Sequence, residues 1–199
     1  MPLQRGPVSI ARFQLENEIP TEVRRWLTAA LRTRAFEGID PKGDEDAASG
    51  FVELEDNNAT DFSPGSVFIE GHALFAWKIE KLRISASELR NEVKQWGEKF
   101  ELDEGRPAGR KEKTAAKDAI RQKLRSKAEP SSKVFDVSLN LNNRDVHIWG
   151  TTRSAVDEIT EAMESTLKTR LIARVPAAFA KAEVIDGLSP SPELHVEAL

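Results

Sequence analysis

The stretch Val134–Trp149, VFDVSLNLNNRDVHIW, carries the clearest fold signal in the chain. Every second residue from Phe135 to Leu141 is apolar and the residues between them are polar, which is the period of a strand with one buried face. Asn142 and Asn143 are typical turn residues, and a second apolar run follows them up to Trp149. The stretch therefore predicts an antiparallel β-hairpin.

Strand, turn and helix patterns continue along the chain on both sides of this hairpin. Upstream, they predict a strand over 7–16, a helix that opens at 20–21, a strand over 50–54, a turn at 64–66, and a second hairpin formed by 67–69 and 73–82. Downstream, they predict a helix capped by Ser154 and Asp157, a strand over 171–175 and a short helix from Pro176. Because strands and helices do not alternate strictly, the predicted class is α+β with a mainly antiparallel sheet and packed helices.

Two helices are predicted between the hairpins, over 85–100 and 110–127. Ser85 and Glu88 have the spacing of a helix-capping pair, and the first helix carries a narrow apolar stripe. The stripe consists of Leu89, Val93, Trp96 and Phe100, and we expect it to contact a second subunit or a partner. The short loop predicts an antiparallel helix hairpin that projects as a finger. The expected organisation is an α+β body over 1–84 and 129–185, the finger over 85–128 and a flexible tail over 186–199.

Composition removes several classes of function. The chain has 199 residues and no cysteine, which excludes disulfides, zinc fingers and thiol chemistry. Three scattered histidines make a metal centre unexpected, and we predict neither a metal nor a cofactor. No apolar run approaches a membrane span and no signal peptide opens the chain, so a soluble, cytoplasmic protein is expected.

Charge is distributed very unevenly. The chain has 29 Lys and Arg against 33 Asp and Glu, a net charge of −4. Residues 105–127 hold nine basic and two acidic residues, a net +7, whereas residues 34–70 sum to −8. The basic residues predicted to bind DNA are Arg106, Arg110, Lys111, Lys113, Lys117, Arg121, Lys123 and Arg125.

The basic segment has two interpretations. Arg110, Lys113, Lys117 and Arg121 step by three and four and so share a helix face, where like charges repel and a polyanion such as nucleic acid would relieve the repulsion. The alternative is a solvated helix that keeps the protein soluble. No aromatic residue interleaves with the basic positions, which favours contacts to a duplex backbone over base stacking on single strands.

The acidic clusters Asp44-Glu45-Asp46 and Glu53-x-Glu55-Asp56 offer another hypothesis, a metal-dependent nuclease. The first cluster lacks the spacing of a calcium-binding loop, and an acidic solvated loop is the alternative. The sequence contains neither a nucleophile-elbow motif nor a phosphate-binding P-loop. We therefore expect a protein that is not an enzyme.

Over most of residues 8–178 the sequence resembles the recombination-associated RdgC family. The resemblance lies in the order of elements and in short stretches: 34–36 (RAF), 50–52 (GFV), 81–85 (KLRIS), 109–113 (GRKEK), 117–120 (KDAI), 135–137 (FDV) and 154–158 (SAVDE). The most specific part is GRKEK followed by a helix that contains Lys117-Asp118.

The resemblance implies a nucleoid-associated protein that binds duplex DNA without sequence preference, forms a ring-shaped dimer around it and restrains RecA-promoted recombination. It also implies that Arg110, Lys111, Lys113 and Lys117 lie on or near a finger that faces DNA and contacts the partner subunit. The family's C-terminal region has no counterpart after Val184, so the resemblance is to a shortened homologue. The expected partners are double-stranded DNA, a second copy of the chain and recombination proteins, with no membrane. A protein-interaction module that docks a partner protein through the finger is the alternative.

Overall fold

The computed structural model describes residues 9–40, 43 and 45–174, and these residues form seven strands and five helices. The elements are β1 (Ala11–Leu15), α1 (Val23–Thr33), β2 (Ala47–Val52), α2 (Pro64–Val67), β3 (Phe68–Ile69), β4 (His72–Lys81), α3 (Ala86–Glu104), α4 (Arg110–Arg125), β5 (Ser131–Asn140), β6 (Asp145–Ile148), α5 (Arg153–Leu167) and β7 (Leu171–Ala173). The helix predicted from Pro176, the ends of the first and last predicted strands, and the tail over 186–199 lie outside the described residues.

All seven strands belong to one antiparallel sheet, which confirms the α+β class. The strand order is β2-β4-β5-β6-β1-β7, with β3 paired to β4. The hairpin predicted over 134–149 is confirmed, with Val137 opposite Ile148 and Leu139 opposite Val146. The longest ladder joins β4 to β5, from His72 opposite Asn140 to Lys81 opposite Ser131. The sheet is therefore held at its centre by strands that are distant in sequence.

One face of the sheet carries the main core. Helices α1 and α5 contribute Leu27, Leu31, Ile159 and Met163 to the same buried cluster as the inward residues of the strands. Phe51 of β2 meets two aromatic rings of β4 edge-on, that of Phe75 at 5.6 Å and that of Trp77 at 4.7 Å between centroids. Edge-to-face contacts of this kind stabilise a core beyond the area they bury. The alternation of inward and outward side chains along the strands thus determines which residues form the core.

Helices α3 and α4 occupy the two predicted positions, and we call residues 85–128 the helix pair. Ser85 caps α3, since its Oγ accepts the Glu88 N–H at 3.4 Å, and Gly105 ends it with a φ of +68°. Helix α4 buries Ala116, Ile120 and Leu124 and packs against α3, which buries no residue completely. No residue of the helix pair belongs to either buried cluster of the described chain. Its projection from the body as a finger stays a prediction, as do the domain boundaries.

Two local predictions were wrong. Residues 64–66 form a single turn of helix, because a proline suits the first helical position and the Val67 N–H reaches the Ser63 carbonyl at 3.2 Å. Helix α5 begins earlier than predicted, with Thr152 as its N-cap, so Ser154 and Asp157 lie inside the helix. Asp157 instead faces Arg153 one turn earlier at 3.8 Å.

Among the described glycines, Gly50 lies nearest to another stretch of backbone. A Cβ atom built on Gly50 would lie 2.5 Å from both the Cα and the N of Phe36. The segment after α1 runs beside β2 here, with the Phe36 N–H donating to the Phe51 carbonyl at 2.9 Å. Because the atoms that a Cβ would meet belong to the backbone and not to a flexible side chain, only glycine fits this contact without a backbone shift.

We expect Gly50→Ala to destabilise the protein by about 3 kcal/mol, because overpacking here pushes backbone against backbone. Gly97→Ala is the matched control, since a Cβ there meets nothing within 4 Å. This control should be neutral or should stabilise α3 by up to about 1 kcal/mol. Urea unfolding followed by circular dichroism measures both, and equal stability of the two variants would contradict the close contact.

Candidate nucleic-acid interface

Four of the eight basic residues predicted to bind DNA are exposed and unpaired. Arg110, Lys111, Lys113 and Lys117 lie on the first two turns of α4 and make no ion pair with any residue in the described part of the chain. Arg110, Lys113 and Lys117 line a surface groove of about 370 Å³ together with Thr114 and with Val93 of α3. We call Arg110, Lys111, Lys113 and Lys117 the free basic row. Three members of the predicted face thus line one groove, whereas the fourth, Arg121, lines another and pairs with Asp46.

The basic residues in the second half of α4 are engaged with the protein itself. Arg121 reaches an Asp46 carboxylate oxygen at 2.8 Å, and Lys123 lies 3.6 Å from Glu92 of α3. Arg125 is only 3% exposed, and its guanidinium binds the other Asp46 oxygen and the Asp40 carbonyl. These acceptors stabilise a charge that burial has removed from water, although the Arg125 Nε is buried without an acceptor in the described part of the chain. The end of α4 is thus tied to the segment that precedes β2.

Arg106 and Glu112 order the start of α4. The two NH groups of Arg106 donate to the two Glu112 oxygens at 3.1 and 2.7 Å, and the Gly109 N–H donates to the same carboxylate at 2.7 Å. Glu112 thus supplies one half of a capping box, since Gly109 has no side chain to supply the other half. The Arg106 guanidinium also lies 5.3 Å from the centre of the Phe100 ring. The Arg106 hydrogen bonds, followed by that from Gly109, lower the pKa of Glu112 from 4.5 to about 2.

The apolar stripe of α3 is half-buried. Its members are Leu89, Val93, Trp96 and Phe100, and none of them is fully covered. The rings of Trp96 and Phe100 pack on one another with their centroids 5.1 Å apart. Val93 reaches the groove beside the free basic row, so part of the stripe is used within the helix pair. Contact with a second subunit stays a prediction.

Three of the six acidic residues that the sequence offered as metal ligands have other partners in the structure. Asp46 binds two arginines, Glu53 accepts the Ser63 N–H at 3.3 Å, and Asp56 accepts the Asn58 N–H at 2.9 Å. Asp44 lies outside the described residues. Within 9–40, 43 and 45–174, no three His, Asp or Glu side chains come together as a metal site would need.

Asp46 and Glu92 are the residues that sequence reasoning missed. They decide which basic residues of α4 remain free, yet Asp46 lies 75 positions from Arg121 and 79 from Arg125. The only available signal was the opposite charge of the two segments, which gives no pairing. Helical spacing did place Lys123 on α4, but its partner belongs to the other helix.

Comparison with known proteins gives one family. The family model described as "RdgC: Putative exonuclease, RdgC" matches residues 9–185. The search of curated proteins found no match. Among the helices that the structure describes, none has the length and apolar character needed to cross a membrane.

We expect the Glu112 carboxyl to titrate near pH 2 in the native protein. Its folded pKa lies below the ordinary value, so its contribution to stability is complete above about pH 4.5 and disappears as the pH falls toward 2. In Arg106→Gln the hydrogen bonds from the guanidinium, the main cause of the low pKa, are gone. The pKa of Glu112 should therefore rise toward 4.5 while the Gly109 contact remains. Carboxyl NMR titration of both proteins measures the difference, and an unchanged midpoint would contradict the paired geometry.

Proposed function

The chain belongs to the RdgC family, and we propose that it is a non-enzymatic protein that binds double-stranded DNA without sequence preference. We further propose that it acts in DNA recombination and nucleoid organisation by occupying DNA, and so restrains RecA. The observation that carries this proposal is the free basic row on α4.

The free basic row has the character of a backbone-binding surface. Arg110, Lys113 and Lys117 extend over about 10 Å of helix, at a rise of about 1.5 Å per residue. Their charges repel one another and lack acidic partners among the described residues, so phosphate groups would lower the electrostatic energy. Contacts of lysine and arginine with phosphates carry no sequence information. This supports binding that depends on charge and shape.

The paired residues have a different role in this proposal. Arg125 is buried against Asp46 and positions the end of α4, and Arg106 holds its start through Glu112. Both ends of the helix are therefore fixed by internal ion pairs, and the free basic row lies between them. A rigid helix presents its charges with little ordering cost on binding, which favours affinity.

Binding to a short duplex should weaken steeply with salt. If about six phosphates are neutralised, the slope of log affinity against log salt is about −5. Replacing Arg110, Lys113 and Lys117 by Gln should reduce that slope by about 2.7 and weaken binding by more than about tenfold. The matched control replaces Arg25, Lys168 and Arg170 by Gln, which removes three exposed charges from the body. Mobility shifts across a salt series measure all three proteins.

Three outcomes would contradict this proposal. The first is absence of duplex binding at low salt, which would favour the interaction module that docks a partner protein. The second is equal loss in the helix variant and the control, which would show that only net charge matters. The third is shortening of the duplex when Mg²⁺ is added, which would favour a nuclease; we expect intact DNA.

We propose that the protein dimerises through the apolar stripe of α3. The support is the partial exposure of Leu89, Val93, Trp96 and Phe100 on a helix that buries no residue. Light scattering should give twice the mass of the 22.2 kDa chain, and Trp96→Ala should shift the mass toward one chain without unfolding the body. A wild-type monomer at every concentration, with and without DNA, would contradict dimerisation.

A further inference from the structure

A second basic site lies on the body, and no residue of α4 lines it. A cleft of about 110 Å³ opens where the ends of β4 and β5 meet the start of α5. Its floor is apolar and consists of Ile79, Phe135 and Ala155. Three basic side chains surround the opening: Lys81, Arg83 and Lys133. We call these three residues the cleft cations.

The cleft cations are brought together by the sheet register. Lys81 pairs with Ser131 and Ile79 pairs with Lys133, so Lys81 and Lys133 are diagonal neighbours on one face of the β4–β5 ladder. Diagonal neighbours lie about 7–8 Å apart, with their Cβ atoms somewhat closer, a separation at which two lysines repel and can both reach one ligand between them. Arg83 follows two residues after Lys81 and adds a third positive charge at the same edge.

Nothing acidic offsets this charge within the cleft. No Asp or Glu lines it, and none of the cleft cations forms an ion pair with a residue that the structure describes. Lys78 and Glu80, which alternate with Ile79 and Lys81, bind one another at 3.0 Å on the opposite face. Three positive charges around an uncharged, partly apolar recess therefore remain uncompensated.

Hydroxyl donors complete the lining. Thr152 and Ser154 both line the cleft, and the Thr152 side chain makes no capping bond to the helix that it precedes. Ser131 is already engaged, since its hydroxyl donates to the Lys81 carbonyl at 3.1 Å and fixes the strand ends. The first turn of α5 contains no acidic residue, so the helix end adds to the positive potential.

We propose that this cleft binds a phosphate group. A phosphate group matches three cations and two hydroxyls better than a carboxylate does, because it offers more acceptor oxygens and, as a monoester, more charge. The volume holds a group of a few atoms, and a base or sugar attached to the phosphate would remain outside. The site does not rest on DNA binding by the free basic row. Its phosphate comes either from a nucleic-acid backbone or from a small phosphorylated molecule.

Amide NMR with inorganic phosphate tests the site on the full chain, with chloride at equal ionic strength as reference. We expect the amides of Ser154 and Ala155 to shift with millimolar phosphate. In a variant with Lys81→Gln and Lys133→Gln the phosphate affinity should fall by about tenfold or more. Both lysines are exposed, so the fold is retained. The control, Lys113→Gln with Lys117→Gln, should shift as the wild type does.

Absence of a shift in the wild type, or an equal shift in the cleft variant, would overturn the phosphate site. A second titration identifies the source, with phosphate displaced either by a short duplex or by a nucleoside monophosphate. Displacement by the duplex supports a backbone phosphate, and displacement by the nucleotide alone supports a small ligand. The cleft variant also separates this site from the proposed function, because loss of phosphate binding with unchanged duplex affinity leaves the free basic row intact.

Discussion

The ladder between β4 and β5 is the interaction on which the rest of the structure depends. It pairs Lys81 with Ser131 although these residues are 50 positions apart, and the helix pair is the connection between them. The same ladder forms the middle of the core through Phe75, Trp77, Val137 and Leu139. It also aligns the cleft cations at its end. One long antiparallel pairing therefore builds the middle of the core, brings Lys81 and Lys133 together and carries the helix pair between its two strands.

Ion pairs, and not the overall composition, determine which positive charges of this protein remain free. The net charge of −4 combines a strongly basic segment and a strongly acidic one. In the folded chain these segments meet at one place, where Asp46 holds Arg121 and Arg125. The cations on the first two turns of α4 make no ion pair with any described residue, whereas Lys123 lies beside Glu92 of α3. The acidic segment thus neutralises charge at the end of α4 only, and the unpaired positive charge is left on the first two turns of the helix.

Sequence predicted those features that local rules determine. The hairpin over 134–149, the Ser85 cap and the position of α4 follow from alternation, capping and helical spacing, each of which depends on neighbours within a few residues. The partners of Arg121 and Arg125 were not predictable, because charge complementarity does not specify a pair across 75 positions. The cleft cations were missed for a related reason. Lys81 and Lys133 become neighbours only through a register that the sequence leaves open.

The way the helix pair joins the sheet has a mechanical consequence. Its two connections leave from the same end of adjacent antiparallel strands, at Lys81 and Ser131. A force that pulls the helices away from the sheet would act first on the residue pair at the end of the ladder. The hydrogen bonds between β4 and β5 would then break one pair after another, and a sheet resists this direction of force least. The tie from Arg125 to Asp46 and the bond from the Leu82 N–H to the Asp46 carbonyl at 2.8 Å divert part of that load into β2. Asp46 thus adds resistance at the ladder end where a pulling force on α4 would first separate β4 from β5.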